Sequence, residues 1–321
     1  MRKILIKTLT IIFLSLFMVI FASCSIPGNR ADASLSTVSD NTASAEESGT
    51  EEMRDEHQFF SKSVLTAENC TEPEMIEKAL AQAGLLGLDI VQTAYGVTSN
   101  LEDTRFPICI LGDYRYGSER VHDAYLAVAT PDYVFLYDLS ADVDGVVYYY
   151  EDTLALGDVN GDGVDEILIH QNTGGVGGAG SYTSWVFQID DGGLKAIFKS
   201  AGGEEQFDTG FRSVLLDGYK LQITNSFTGF DQVYNIKASH AFMFDEAGSS
   251  LSNEQIAVDC FYDFDFADTD EDGICEIVCA QYVSLHAHVN QVGVGESTLK
   301  FDTQKQVFVV AAADFSVVSQ P

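Results

Sequence analysis

Two stretches of this chain crowd acidic side chains in the same pattern. Asp158, Asn160, Asp162 and Glu166 lie in DVNGDGVDEILI, and Asp268, Asp270, Asp272 and Glu276 lie in DTDEDGICEIVC. Both fit D-x-[DN]-x-D-G-x-x-E followed by an apolar run, and Asp165 and Glu271 add further charge. Like charges at such spacing repel by about 1 kcal/mol per close pair even in water, so the natural partner of each loop is a cation. Oxygen side chains at positions 1, 3 and 5, a glycine at 6 for the sharp turn and an acid at 9 can converge on one hard ion. The position 7 carbonyl, Val164 or Ile274, is a further ligand. The spacing therefore predicts two calcium ions with a structural role, because nothing in it reserves an open coordination position for chemistry. The alternative is a pair of solvated acidic turns.

Position 12 holds Ile169 in one copy and Cys279 in the other, where an EF-hand needs a bidentate glutamate, and a strand rather than a helix is expected after each loop. The pattern resembles instead the FG-GAP or VCBS-type repeat, whose integrin-like calcium loop heads a β-propeller strand. The match covers about 12 residues in each copy, with Glu166 and Glu276 where those repeats usually carry aspartate. The resemblance implies calcium-stabilised, propeller-like repeats and no particular activity. Asp158 and Asp268 lie 110 positions apart, about twice the ~40 to 50 residues of a blade, which leaves room for one blade without such a loop.

The elements that must carry these loops are strands. Beyond about residue 105 the hydrophobic period is two: Trp185, Phe187 and Ile189 share a face, as do Leu221 and Ile223, and Leu299 and Phe301. Tyr133 to Tyr137 reads as a strand apolar on both faces, and turn signals such as Asp191-Gly192-Gly193 and Asp217-Gly218 separate the runs. Strand clusters near 108–138, 154–198, 211–245 and 258–312 predict an all-β domain over 105–316, a small or partial propeller, with a β-sandwich as the alternative. Ahead of it, Thr71-Glu72-Pro73-Glu74 is a capping box, and Met75, Ile76, Ala79, Leu80 and Ala83 follow at helical spacing before Gly84. One short helix is therefore expected within a lead-in over 59–104.

The chain opens with Arg2, Lys3 and Lys7 and an apolar run from Thr8 to Ala22, a secretory n-region and h-region. The run ends in Phe21-Ala22-Ser23-Cys24, which resembles the lipobox of bacterial lipoproteins. That resemblance implies cleavage of residues 1–23, lipidation of Cys24 and a place on the extracytoplasmic face of the cell membrane. Two acyl chains suffice for stable anchoring. Residues 24–58 hold hardly a large apolar side chain and read as a disordered tether, which would set the folded part about 30 Å from the membrane.

Charge limits the partners. Forty-nine Asp and Glu face 17 Lys and Arg, a formal net charge of −32, which excludes binding to nucleic acid through its phosphates. Nucleophile, zinc and phosphate-loop signatures are absent from the sequence. Gly175, Gly177 and Gly180 spell G-x-G-x-x-G but precede a strand, not a helix, and read as a turn. Cys70, Cys109, Cys260, Cys275 and Cys279 are odd in number, and Cys275 and Cys279 stand too far apart along a strand to pair with each other. His286 and His288 share a strand face but lack a third ligand. A non-catalytic module binding extracellular protein or polysaccharide is the first expectation. A secreted hydrolase with a loop-assembled site is the alternative, Asp263 and Asp265 being its nearest approach to a carboxylate pair.

Overall fold

A computed structural model describes residues 58–61, 72–99, 104–113, 120–131, 133–142, 146–148, 154–173, 182–190, 193–251, 257–285 and 290–317. The leader, Cys24, most of the tether, Cys70, the glycine-rich loop and the His286–His288 pair lie outside these residues. The described chain is all-β and antiparallel, with a ten-stranded, a three-stranded and a four-stranded sheet, none of which closes on itself.

Strands follow one another as meanders. The first runs β2 (Asp89–Gly96), β3 (Phe106–Asp113), β4 (Arg120–Ala129) and β5 (Val134–Asp138), with β1 (Gln58–Ser61) added beside β5. The second runs β7 (Leu154–Gly157), β8 (Glu166–Asn172), β9 (Tyr182–Asp190) and β10 (Gly193–Ser200). The short β6 (Val146–Tyr148) pairs with both β4 and β8 and so joins these two meanders into the ten-stranded sheet. The third is β11 (Phe211–Leu216), β12 (Lys220–Asn225) and β13 (Asp231–Asn235). The last is β14 (Ala257–Ala267), β15 (Glu276–Ser284), β16 (Gln291–Asp302) and β17 (Val307–Val317).

Period-two patterning decides which face of each meander meets which. On the first, Ile108, Ile110, Leu126, Val128 and Tyr137 meet Ile167, Ile169, Trp185 and Phe187 of the second, with the rings of Tyr137 and Phe187 edge-on at 4.7 Å. The residues between them, Cys109, Leu111, Ala127 and Leu136, face the other way. There they are covered by Ile76 and Leu80 of helix α1 (Glu72–Ala83). The helix stops where Gly84 takes φ +73° and Leu85 N–H reaches back to the Leu80 carbonyl, a left-handed glycine stop. The second meander is buried on both faces, since Leu168, Val186 and Phe198 pack on Phe261, Phe264, Ile277, Leu299 and Phe308 of the last. Helix, first, second and last meanders thus form successive layers.

The third meander packs elsewhere on the last one. Its Phe211, Leu221 and Ile223 meet Val283, Leu285, Val292 and Phe315, toward the end of β15 remote from Glu276. Buried amides seal the junction: Thr209 Oγ1 bonds Gln281 Oε1 at 2.6 Å, and Gln281 Nε2 and Gln206 Nε2 both donate to the Asp259 carbonyl.

The segment 59–104, read from sequence as a helical lead-in, supplies α1 but also contributes strand β2 and most of β1. β2 has mostly exposed or half-buried side chains, so it carries little hydrophobic alternation to read. Trp185 is fully buried, as its place on the apolar strand face with Phe187 requires.

Gly295 lies directly under the Phe211 ring, and a Cβ there would come within 2.6 Å of it. Gly295→Ala should therefore push Phe211 out of the junction and cost about 1–3 kcal/mol. A urea midpoint equal to that of the parent protein, at equal slope, would show that the ring is not wedged there.

Candidate metal centres

Both acidic loops connect the first and second strands of a meander. β7 ends at Gly157 and β8 begins at Glu166; β14 ends at Ala267 and β15 begins at Glu276. Their backbones repeat one another. Position 4 is left-handed in each, Gly161 at φ +79° and Glu271 at φ +61°, as is position 6, Gly163 at +83° and Gly273 at +89°. Glu271 occupies a conformation that costs a non-glycine residue of the order of 1 kcal/mol, so the second loop keeps the shape against its own sequence.

Side-chain oxygens hold that shape. Asp158 accepts from Gly161 N–H at 2.7 Å and Gly163 N–H at 2.9 Å, and Asp268 accepts from Asp272 N–H at 3.1 Å and Gly273 N–H at 3.0 Å. At position 5, Asp162 accepts from Val164 N–H and Asp272 from Ile274 N–H. At position 9, Glu166 accepts from Val159 N–H and Glu276 from Thr269 N–H, each at 2.8 Å. Both glutamates are buried, 1% and 2% exposed, which places a carboxylate at the bottom of each loop.

The loops differ in what meets the remaining glutamate oxygen. In the first, Asn160 Nδ2 donates to Glu166 Oε1 at 2.6 Å. In the second, position 3 is Asp270, and Lys300 Nζ from β16 stands 2.7 Å from Asp270 Oδ2 and 3.0 Å from Glu276 Oε1. The electrostatics follow. Burial, with Asp162 and Asp158 adding to it against the Val159 hydrogen bond, pushes the Glu166 carboxyl up to about 8. Burial also raises Glu276, but Thr269 and Lys300 outweigh it and hold that carboxyl below its ordinary value.

Positions 1, 3, 5 and 9 present oxygen donors, a set that suits a hard cation. In the second loop, single oxygens of Asp268, Asp270 and Glu276 lie within 4.8 Å of one another. Among the described residues the first loop forms no comparable carboxylate triple, because an amide replaces one member. Val164 is buried, and Ile274 packs over Gly161 of the other loop. Asp165, counted in the sequence with the crowded charges, turns away and accepts from Val97 N–H at 2.8 Å.

The residue at position 8 has a role that the sequence does not announce. Asp165 N–H donates to the Val97 carbonyl at 2.8 Å, and Cys275 N–H donates to the Asp158 carbonyl at 2.7 Å. Each acidic loop therefore latches onto the end of the first strand of the preceding layer. A glycine lies beneath each latch, with Gly96 against Asp165 and Gly157 against Cys275 Sγ. Cys109, Cys275 and Cys279 are free thiols. Burial raises the pKa of Cys109, Cys275 and Cys279, which keeps those three protonated and poor metal ligands.

A second feature lies on the outer face of the last meander. Asp263, Ala280, Glu296 and Asp314 stand in register across all four strands. They line a groove of about 320 Å³ together with Val278 and Ala312. Tyr262 and Tyr282 are also on this sheet, their rings stacked at 4.0 Å.

Residues 210–317 match the family model described as the YybI C-terminal domain. The match spans the third and last meanders, about a third of the chain, and contains the second acidic loop but not the first. No curated protein matches the chain.

Because the folded state raises Glu166, its protonated form is the one the fold favours. The stability this contributes is complete below the ordinary glutamate range near pH 4.3 and is lost as pH rises through about 8. In a chelator, the melting temperature should fall from pH 5 to pH 8, and Glu166→Ala should flatten that slope. A slope unchanged in the variant would remove Glu166 as its source.

Proposed function

We propose that the chain is a calcium-stabilised lipoprotein of propeller-like β-repeats. It is held by lipid at Cys24 on the extracytoplasmic face of the cell membrane, where it serves as a non-catalytic binding module for extracellular protein or polysaccharide. Calcium sits in both acidic loops. Asp158, Asn160, Asp162, Glu166 and the Val164 carbonyl hold one ion, and Asp268, Asp270, Asp272, Glu276 and the Ile274 carbonyl hold the other. The observation that carries the reading is the repetition of the loop: the same left-handed turns, the same carboxylate-to-amide ladder and a buried glutamate at the same position. The layered meanders are the units of a partial propeller in this reading, the second and the last carrying the acidic loops and the first and third none. Among the described residues no helix is long and apolar enough to cross a membrane, and Cys24 supplies the attachment in this reading. The groove beside Asp263, Glu296 and Asp314 is a concavity among the described residues where a ligand would rest in this reading. It is also where a hydrolase would have to place its carboxylates.

The ion is structural, so its removal should be read first in stability. Extracellular calcium modules bind at about 10⁻⁴ to 10⁻³ M. At tenfold saturation each site then contributes roughly 1.4 kcal/mol. Millimolar calcium added after chelation should raise the melting temperature by several degrees, magnesium should do so less, and Asp158→Asn with Asp268→Asn together should abolish the rise. An equal rise in the double variant, or none in the parent protein, would overturn the calcium reading.

A further inference from the structure

Lys300 is the one cationic side chain that the structure places against either acidic loop among the described residues. It reaches from the neighbouring strand, on the far side of β15, and its ammonium lies between Asp270 and Glu276, where positions 3 and 9 of a metal loop converge. The first loop meets the same need with the neutral amide of Asn160, which satisfies a hydrogen bond but brings no charge. Two loops of one backbone shape therefore differ in what meets the buried glutamate: one carries its own cation and the other offers an amide.

Resting on the reading of both loops as calcium sites, we propose that Lys300 is a built-in competitor for the ion in the second loop, so that the two sites fill unequally and the first fills first. Calcium entering the second loop has to displace an ammonium that makes two charge-assisted hydrogen bonds. Calcium entering the first displaces no ammonium, only the Asn160 amide and the proton that the buried Glu166 retains. Displacement is open to Lys300, whose side chain is 41% exposed and can swing into water while Leu299 beside it stays in the core. Filling of the second site then breaks the tie between β16 and the loop, so occupancy of that site is coupled to how firmly the loop is fastened to the third strand of its own sheet. The second loop keeps its fold at low calcium through Lys300 and exchanges one cation for another as calcium rises.

The test is a calorimetric calcium titration of the full-length protein. The wild type should show two classes of site separated by about tenfold or more, the scale set by charge-assisted hydrogen bonds. Lys300→Met should close the gap by strengthening the weak class at least tenfold, and Lys300→Arg should keep it. Asp162→Asn should remove the tight class and leave the weak one. Without metal, Lys300→Met should melt below the wild type and gain more from added calcium. Two sites of equal affinity in the wild type, or a gap that survives in Lys300→Met, would overturn the role of Lys300 while leaving the calcium sites standing. Absence of calcium binding in the wild type and every variant would overturn both.

Discussion

Backbone hydrogen bonds at the ends of the first strands hold the layered structure in register. The amide at position 8 of each acidic loop donates to the carbonyl that follows the first strand of the preceding layer, Asp165 to Val97 and Cys275 to Asp158. These are small interactions, each worth about 1 kcal/mol net. Their weight comes from what they align. Large apolar faces can slide over one another at little cost, whereas a directional bond between fixed backbone atoms selects one offset. The glycines beneath, Gly96 and Gly157, permit the close approach, and the side-chain ladder inside each loop presents the donating amide at the right height. The loops are therefore joints between layers as well as candidate ion sites.

That double role explains the placement of charge. Stacking three meanders forces a carboxylate at the start of β8 and of β15 into the interior, and a buried carboxylate has to be neutralised in some way. The molecule uses two solutions on one scaffold. Glu276 is met by an ammonium from its own sheet, and Glu166 by an amide and a backbone donor that bring no charge, so that its burial favours the neutral acid. The overall acidity of the chain, with 49 Asp and Glu against 17 Lys and Arg, makes the lysine a scarce resource, and its position beside the second loop is correspondingly informative.

Much of this was readable in the residues. The all-β class, the four clusters of strands, the helix α1 with its glycine stop and both acidic loops follow from period and motif, because each is specified locally. Three things were not. β2 is too exposed to alternate, so its strand is visible only through its pairing with β3. Lys300 stands 24 positions beyond Glu276 and reaches it only because β16 lies beside β15. No local pattern encodes that neighbourhood. The latch is the most hidden, since it joins backbone atoms: Val97 stands where the acidic loops carry aspartate, and its carbonyl serves as well as that of Asp158. The order in which the meanders stack, first on second and second on last with the third set aside, is likewise a property of whole faces and not of any segment.

One consequence concerns length. Position 1 accepts from the next layer while position 8 donates to the previous one, so the first loop is held at both ends to different partners, with Gly161 and Gly163 absorbing the bend between them. A substitution within the turn alters how it treats an ion and leaves its span intact. An insertion or deletion there would shift one anchor against the other and throw two interfaces out of step at once. Divergence in such a molecule is channelled into which atoms face the ion, while the spacing between the anchors stays fixed.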